Sequence, residues 1–199
     1  MILHIHAKNI FDEPLSQNQL QLPSDDIGSD TNSQKHRNSK IMMFNQQLDI
    51  SQITEYLYIS AWPKGDHATD IIKLGVRLVL SMHWVKPSKI LGNPPVELIW
   101  LPTIDFPLTP IPISKLWRGV EAALPIIKEK GAVLVHCRAG VHRSVAMACC
   151  ILIGMGYTAE GAMQLVTEKR EAADPYAWHI QTRIYKFENI WHTSQNAKS

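Results

Sequence analysis

Cysteine is scarce in this chain: three residues in 199, Cys137, Cys149 and Cys150, two of them adjacent. So odd and sparse a set builds no disulfide framework and points to a reducing compartment. No apolar run reaches the about eighteen residues that span a bilayer, so no membrane insertion is expected. The first residues, MILHIHAKNIFDEPLSQ, lack a charged leader, a long apolar segment and a small-residue cleavage site. His4 and His6 interrupt their short apolar patch and have no nearby partners with which to bind a metal. A cytoplasmic location is the expectation. There is no excess of one charge either. The formal net charge is +2, so nothing draws the chain towards DNA or a membrane surface. No internal repeat is visible.

Apolar residues make up 45% of the chain, enough for one ordinary buried core. They are unevenly placed. Residues 13–41 are rich in Ser, Gln, Asn, Asp and Lys and bury too little apolar surface to offset chain ordering. The organisation read from this is a disordered extension over 1–46, a catalytic domain over 47–193 and a tail over 194–199. Met42 and Met43 close the polar stretch, so a translation start there and a genuine tail both account for it.

From residue 50 the pattern becomes α/β. Strands are expected at 56–59, 76–80, 96–100 and 132–135, and helices at 66–74, 114–130, 144–154, 158–170 and 176–192. Ser114 is the expected N-cap of the second helix, and Pro125 is expected to kink or break it. A Pro-rich loop occupies 101–112. The run Ala132-Val133-Leu134-Val135 reads as a central strand buried on both faces. Strands joined by crossover helices imply a central, mostly parallel sheet of four to five strands flanked by helices.

The chemistry concentrates in His136-Cys137-Arg138-Ala139-Gly140-Val141-His142-Arg143-Ser144, between that strand and the start of a helix. Unpaired N–H groups at a helix N-terminus favour an anion, and a loop from Cys137 to Arg143 can wrap a phosphate. Gly140 permits the tight turn. The same field lowers a thiol pKa from about 8.5, making Cys137 a candidate nucleophile. Arg143 offers a planar fork to two phosphoryl oxygens. Ser144 can donate a hydrogen bond to the thiolate and ease its departure. The alternative is that Cys137 is merely a small buried residue ending a strand. Cys149 and Cys150, in the apolar AMACCILIG, are expected in the core.

His136 to Ser144 resembles the H-C-x-x-G-x-x-R-S signature of protein tyrosine phosphatases, specifically their small dual-specificity branch. Its five fixed positions would arise by chance in a chain of this length with odds on the order of 10⁻⁴. The resemblance extends over about 50–192 and includes ITEYLYIS and VRLVLSM. It implies a phospho-cysteine intermediate, no metal or other cofactor, and His136 orienting the loop. It also implies a shallow pocket that admits phosphoserine, phosphothreonine and phosphotyrosine in protein partners. Asp105, alone in the Pro-rich loop and 32 residues before Cys137, is the candidate general acid. A turn cap or a solvated carboxylate is the competing reading of Asp105. Arg138, Ala139, Gly140, Val141, His142 and Arg143 would line the phosphate. Arg138 and His142 either face solvent or favour a polyanion such as a phosphoinositide, nucleotide or RNA end. Lys169 and Arg170 are read as satisfying a helix C-terminus. A phosphate-binding module without turnover and a rhodanese-like sulfurtransferase remain as competitors. The sulfurtransferase would leave Asp105 without a role.

Overall fold

The computed structural model describes residues 47–197; the extension expected over 1–46 lies outside the described residues. Strand β1 (Ile50–Thr54) turns directly into β2 (Leu57–Ser60), and the two pair antiparallel. A single 3₁₀ turn at Gly65–His67 leads into α1 (Ala68–Lys73), and Gly75, at φ 74°, reverses the chain into β3 (Val76–His83). Then follow β4 (Glu97–Thr103), α2 (Ile113–Lys128), β5 (Ala132–His136), α3 (Arg143–Gly154), α4 (Ala159–Lys169) and α5 (Trp178–Asn196). The sheet order is β1-β2-β5-β3-β4, parallel except for β1. The expected α/β architecture is therefore the observed one. No helix among the described residues is long and apolar enough to cross a membrane.

Strand β5 lies at the centre, and its five residues are all buried. Alternation sends Val133 and Val135 into one core and Ala132 and Leu134 into the other. The larger core contains α3, whose residues Val145 to Ile153 are essentially inaccessible, covered by α2, α4 and α5. Cys149 and Cys150 are part of it, as expected, and burial pushes both thiols well up. The smaller core, around Tyr58, Ile71, Val79 and Leu134, lies on the opposite face of the sheet.

The elements depart from the sequence reading where tertiary packing overrides local signals. Strand β1 is additional; its alternation is too short to register alone. Strand β3 continues to His83 and β4 to Thr103, three residues into the supposed loop. Pro102 is tolerated there because β4 is an edge strand, where a missing N–H costs no ladder bond. Helix α2 is capped by Pro112 rather than Ser114 and runs unbroken past Pro125. Pro125 is exposed, while Leu116, Gly119, Val120 and Ala123 hold the opposite face against the core. That packing outweighs one lost backbone bond. Helix α5 extends beyond the expected residue 192 to Asn196.

Helix α5 is anchored by Phe187, fully buried and stacked on Trp191 at 5.6 Å, with Trp117 of α2 4.8 Å from the Trp191 ring. Phe187→Ala should therefore cost about 3–5 kcal/mol in urea unfolding. A loss below about 1 kcal/mol would show that α5 contributes little to the core.

Candidate active site

The loop between β5 and α3 is shaped by what binds its carbonyls. His136 Nδ1 lies 3.2 Å from the Cys137 carbonyl, and the Trp62 N–H donates to that of Arg138. Arg170 donates from Nη2 to the Ala139 carbonyl (3.1 Å) and from Nε to that of Gly140 (2.8 Å). The N–H groups of Asp174 and Ala146 take the Val141 and His142 carbonyls. A trans peptide carries its N–H opposite its C=O. Six carbonyls held from outside therefore turn the intervening N–H groups inward around one point. Helix α3 starts at that point with no side-chain cap, so its first N–H groups also face it.

Gly140 makes the turn at φ 71°. A Cβ there would lie 2.5 Å from Arg170 Nη2 and 2.9 Å from the Ser60 carbonyl, so only glycine fits. Its N–H points at the Cys137 sulfur, 3.3 Å away, and Ser144 Oγ lies 3.3 Å from the same atom. Burial by itself raises the Cys137 pKa. The Ser144 hydroxyl and N–H, the Arg143 charge and the Gly140 N–H outweigh it, and the net pKa falls below the ordinary thiol value.

Arg143 is buried, and its Nη1 donates to the Thr103 carbonyl at the end of β4 (3.0 Å). Its Nε lies 3.3 Å from Asp105 Oδ2. The angle there is too poor for a hydrogen bond, leaving Nε without one, so the contact is an ion pair only. The other Asp105 oxygen is 3.3 Å from His142 Nδ1, and His142 Nε2 is 3.7 Å from Asp174 Oδ2. The structure thus brings Asp105 to the loop. His142 is not turned out to solvent; it bridges two carboxylates. Arg138 and Ala139 are exposed and Val141 is half-buried.

His136 is buried, and its pKa is pushed down to about 4, chiefly by burial. A carbonyl only accepts, so the neutral ring carries its proton on Nδ1. Beside it, Trp62 packs edge-on to both His136 and His83. His83 is buried, and its pKa is lowered by desolvation and by Arg143 and Arg138.

Sequence reasoning missed Arg170, Asp49, Thr103, His83 and Asp174. Arg170 is the main correction. Rather than merely satisfying a helix C-terminus, it is buried and uses all five guanidinium N–H donors: two on the loop carbonyls, two on Asp49 (both 2.9 Å) and one on Ser51 (3.1 Å). The only sequence signal was a strong cation beside the polar EAADP segment.

A family model, "Dual specificity phosphatase, catalytic domain", matches residues 57–190. The tyrosine-protein phosphatase yvh1 of Schizosaccharomyces pombe is 27% identical over 139 residues, 69% of this chain and 41% of that protein. The dual specificity protein phosphatase 12 of Homo sapiens is 33% identical over 118 residues, 58% of this chain and 33% of that one. The chain thus spans less than half the length of these curated relatives. Among solved structures, a mouse putative dual specificity phosphatase complexed with zinc tungstate superposes at TM-score 0.66 and 20% identity, covering 73% of this chain and 90% of the other. PTPMT1 in complex with PI(5)P superposes at 0.64 and 22%, covering 73% and 98%. At such identities the likeness is one of fold.

Two outcomes follow for the loop. Alkylation by iodoacetamide should modify Cys137 alone in the folded chain, with a pH midpoint below that of a free thiol and raised in Ser144→Ala. Arg170→Lys keeps the charge but loses the five-donor fork, and should raise that midpoint too while the fold persists by circular dichroism. An unchanged midpoint in Arg170→Lys would remove Arg170 from control of the loop.

Proposed function

The chain belongs to the dual specificity phosphatase family, and on that premise we propose that it hydrolyses phosphate monoesters of proteins through a phospho-cysteine on Cys137. One observation carries the reading: a sulfur with lowered pKa, held by Ser144 and Gly140, at the focus of inward-turned N–H groups and beside Arg143. The Cys137 thiolate attacks phosphorus while the bond to the leaving oxygen breaks. Negative charge spreading over the equatorial oxygens meets the loop N–H groups and the Arg143 fork. Asp105 gives its proton to the leaving oxygen, and its carboxylate then takes one from the water that attacks the phospho-cysteine. As the S–P bond breaks, the Ser144 hydroxyl stabilises the departing thiolate. Arg143 is anchored to Thr103 through Nη1, which leaves the Nε and Nη2 edge for phosphate. Asp105 occupies that edge in the ligand-free chain, so substrate releases it to face the leaving group.

The rim supports a protein rather than a polyanionic substrate. Trp84, Ile104, Phe106, Leu108 and Trp178 follow β3 and β4 or open α5, all exposed, while Arg138 is the one exposed cation of the loop. Such a mouth suits side chains flanking a phosphoresidue better than a dense anion.

The test is a panel of phosphotyrosine, phosphoserine and phosphothreonine peptides, a phosphoinositide, a nucleotide and triphosphorylated RNA. Peptides should be preferred, and Cys137→Ser should lose at least about 10³-fold in rate. Preference for the phosphoinositide or RNA would overturn the protein reading, and full activity in Cys137→Ser the mechanism. Asp105→Asn should slow alkyl esters about 10²-fold or more, yet slow an ester with a good leaving group less than about tenfold. Equal losses would take the acid role from Asp105.

A further inference from the structure

Four titratable side chains meet beside the loop, and the phosphoryl-transfer chemistry employs only one. Asp105 follows β4, His142 is the last loop residue before Arg143, and His179 lies in the first turn of α5. One ligand atom from each of these three falls within 4.8 Å of the other two. The His142 and His179 rings stand edge-to-face at 5.2 Å. Asp174 closes the group, with Oδ2 3.7 Å from His142 Nε2 and its Oδ1 accepting the Ala177 N–H at 2.9 Å.

The donor types are informative. Two imidazoles and a carboxylate form the ligand set of zinc-type ions, whereas magnesium and calcium take oxygen donors. Tetrahedral bonds of about 2.0–2.1 Å bring ligand atoms to roughly 3.4 Å from each other, so the widest pair must close by about 1–1.5 Å. Asp105 and His179 have room for that, since neither side chain is buried. His142 already lies between two carboxylates. The three ligands come from three separate segments, and the sequence gives no motif that links them.

We infer that Asp105, His142 and His179 form an inhibitory binding site for Zn²⁺ or a similar divalent transition metal, with Asp174 as an outer partner. The ion takes no part in phosphoryl transfer. It captures the Asp105 carboxylate, draws it from Arg143 and leaves the reaction without its proton donor. The inhibitory half rests on Asp105 being the acid; the binding half does not. Selective inhibition follows: esters that need protonation of the leaving group are slowed, while those with good leaving groups are largely spared. Metal on the Cys137 thiolate would block both alike.

The test uses the full chain and Zn²⁺ alone. Calorimetric titration of Cys137→Ser, which lacks the competing thiolate, should show a Zn²⁺ site that weakens at least tenfold when His179→Ala is added. His179→Gln serves as a second variant should the first fold poorly. In the metal-free state His179→Ala should match wild type in activity, and it should need at least tenfold more Zn²⁺ for inhibition of an alkyl phosphate. Loss of the site in Cys137→Ser, or equal affinity with and without His179, would overturn the inference. If binding depends on His179 but Zn²⁺ inhibits both ester types equally, the metal site stands and the acid assignment of Asp105 falls.

Discussion

The geometry of the loop between β5 and α3 depends on Arg170. Its guanidinium holds the Ala139 and Gly140 carbonyls from below, and the rigid trans peptide turns the next two N–H groups to the opposite side. One of them, that of Gly140, reaches the Cys137 sulfur. Trp62, Asp174 and the first turn of α3 repeat the arrangement for neighbouring carbonyls. An anion site built from backbone is only as good as the restraint on its peptide planes. Here that restraint is a buried cation whose donors are all used. Asp49 and Ser51 complete it, tying the start of the described chain to the loop.

Other cations act on the titration of the loop: Arg143 on Cys137, and Arg143 with Arg138 on His83. Hydrogen bonds and Arg143 offset the burial of Cys137, leaving the thiol pKa low. The His136 and His83 pKa values are lowered as well, chiefly by burial, which for an imidazole favours the neutral form. A neutral His136 donates to the Cys137 carbonyl and adds no further positive charge. Cys149 and Cys150, about two helix turns into α3, are pushed up chiefly by desolvation and stay protonated. Three thiols in one short stretch thus differ in reactivity because only one reaches the end of α3.

Asp105 and His142 show how a local motif acquires tertiary meaning. In sequence one is a lone loop carboxylate and the other a loop residue expected to line the phosphate or face solvent. In space they face each other, with Arg143 on one side and Asp174 and His179 on the other. The acid candidate is thereby held near the cradle before any substrate arrives. Rigid Pro-rich flanks alone would not have placed it. The extension of β4 to Thr103 does, since the same strand end that anchors Arg143 leads directly into Asp105.

The sequence by itself determined the family, the α/β architecture, the central strand, the loop from Cys137 to Arg143 and the core position of Cys149 and Cys150. These are local: a buried run, a glycine at a turn and a helix start lie within a few residues of one another. It could not show β1, the unbroken α2 or the role of Arg170. A short strand acquires meaning only from its partner, and a proline is tolerated only because the far face of its helix is packed. Arg170 meets Gly140 across 30 residues and Asp49 across 121. No spacing rule spans such distances, so only the tertiary fold decided what holds the loop and what stands around Asp105.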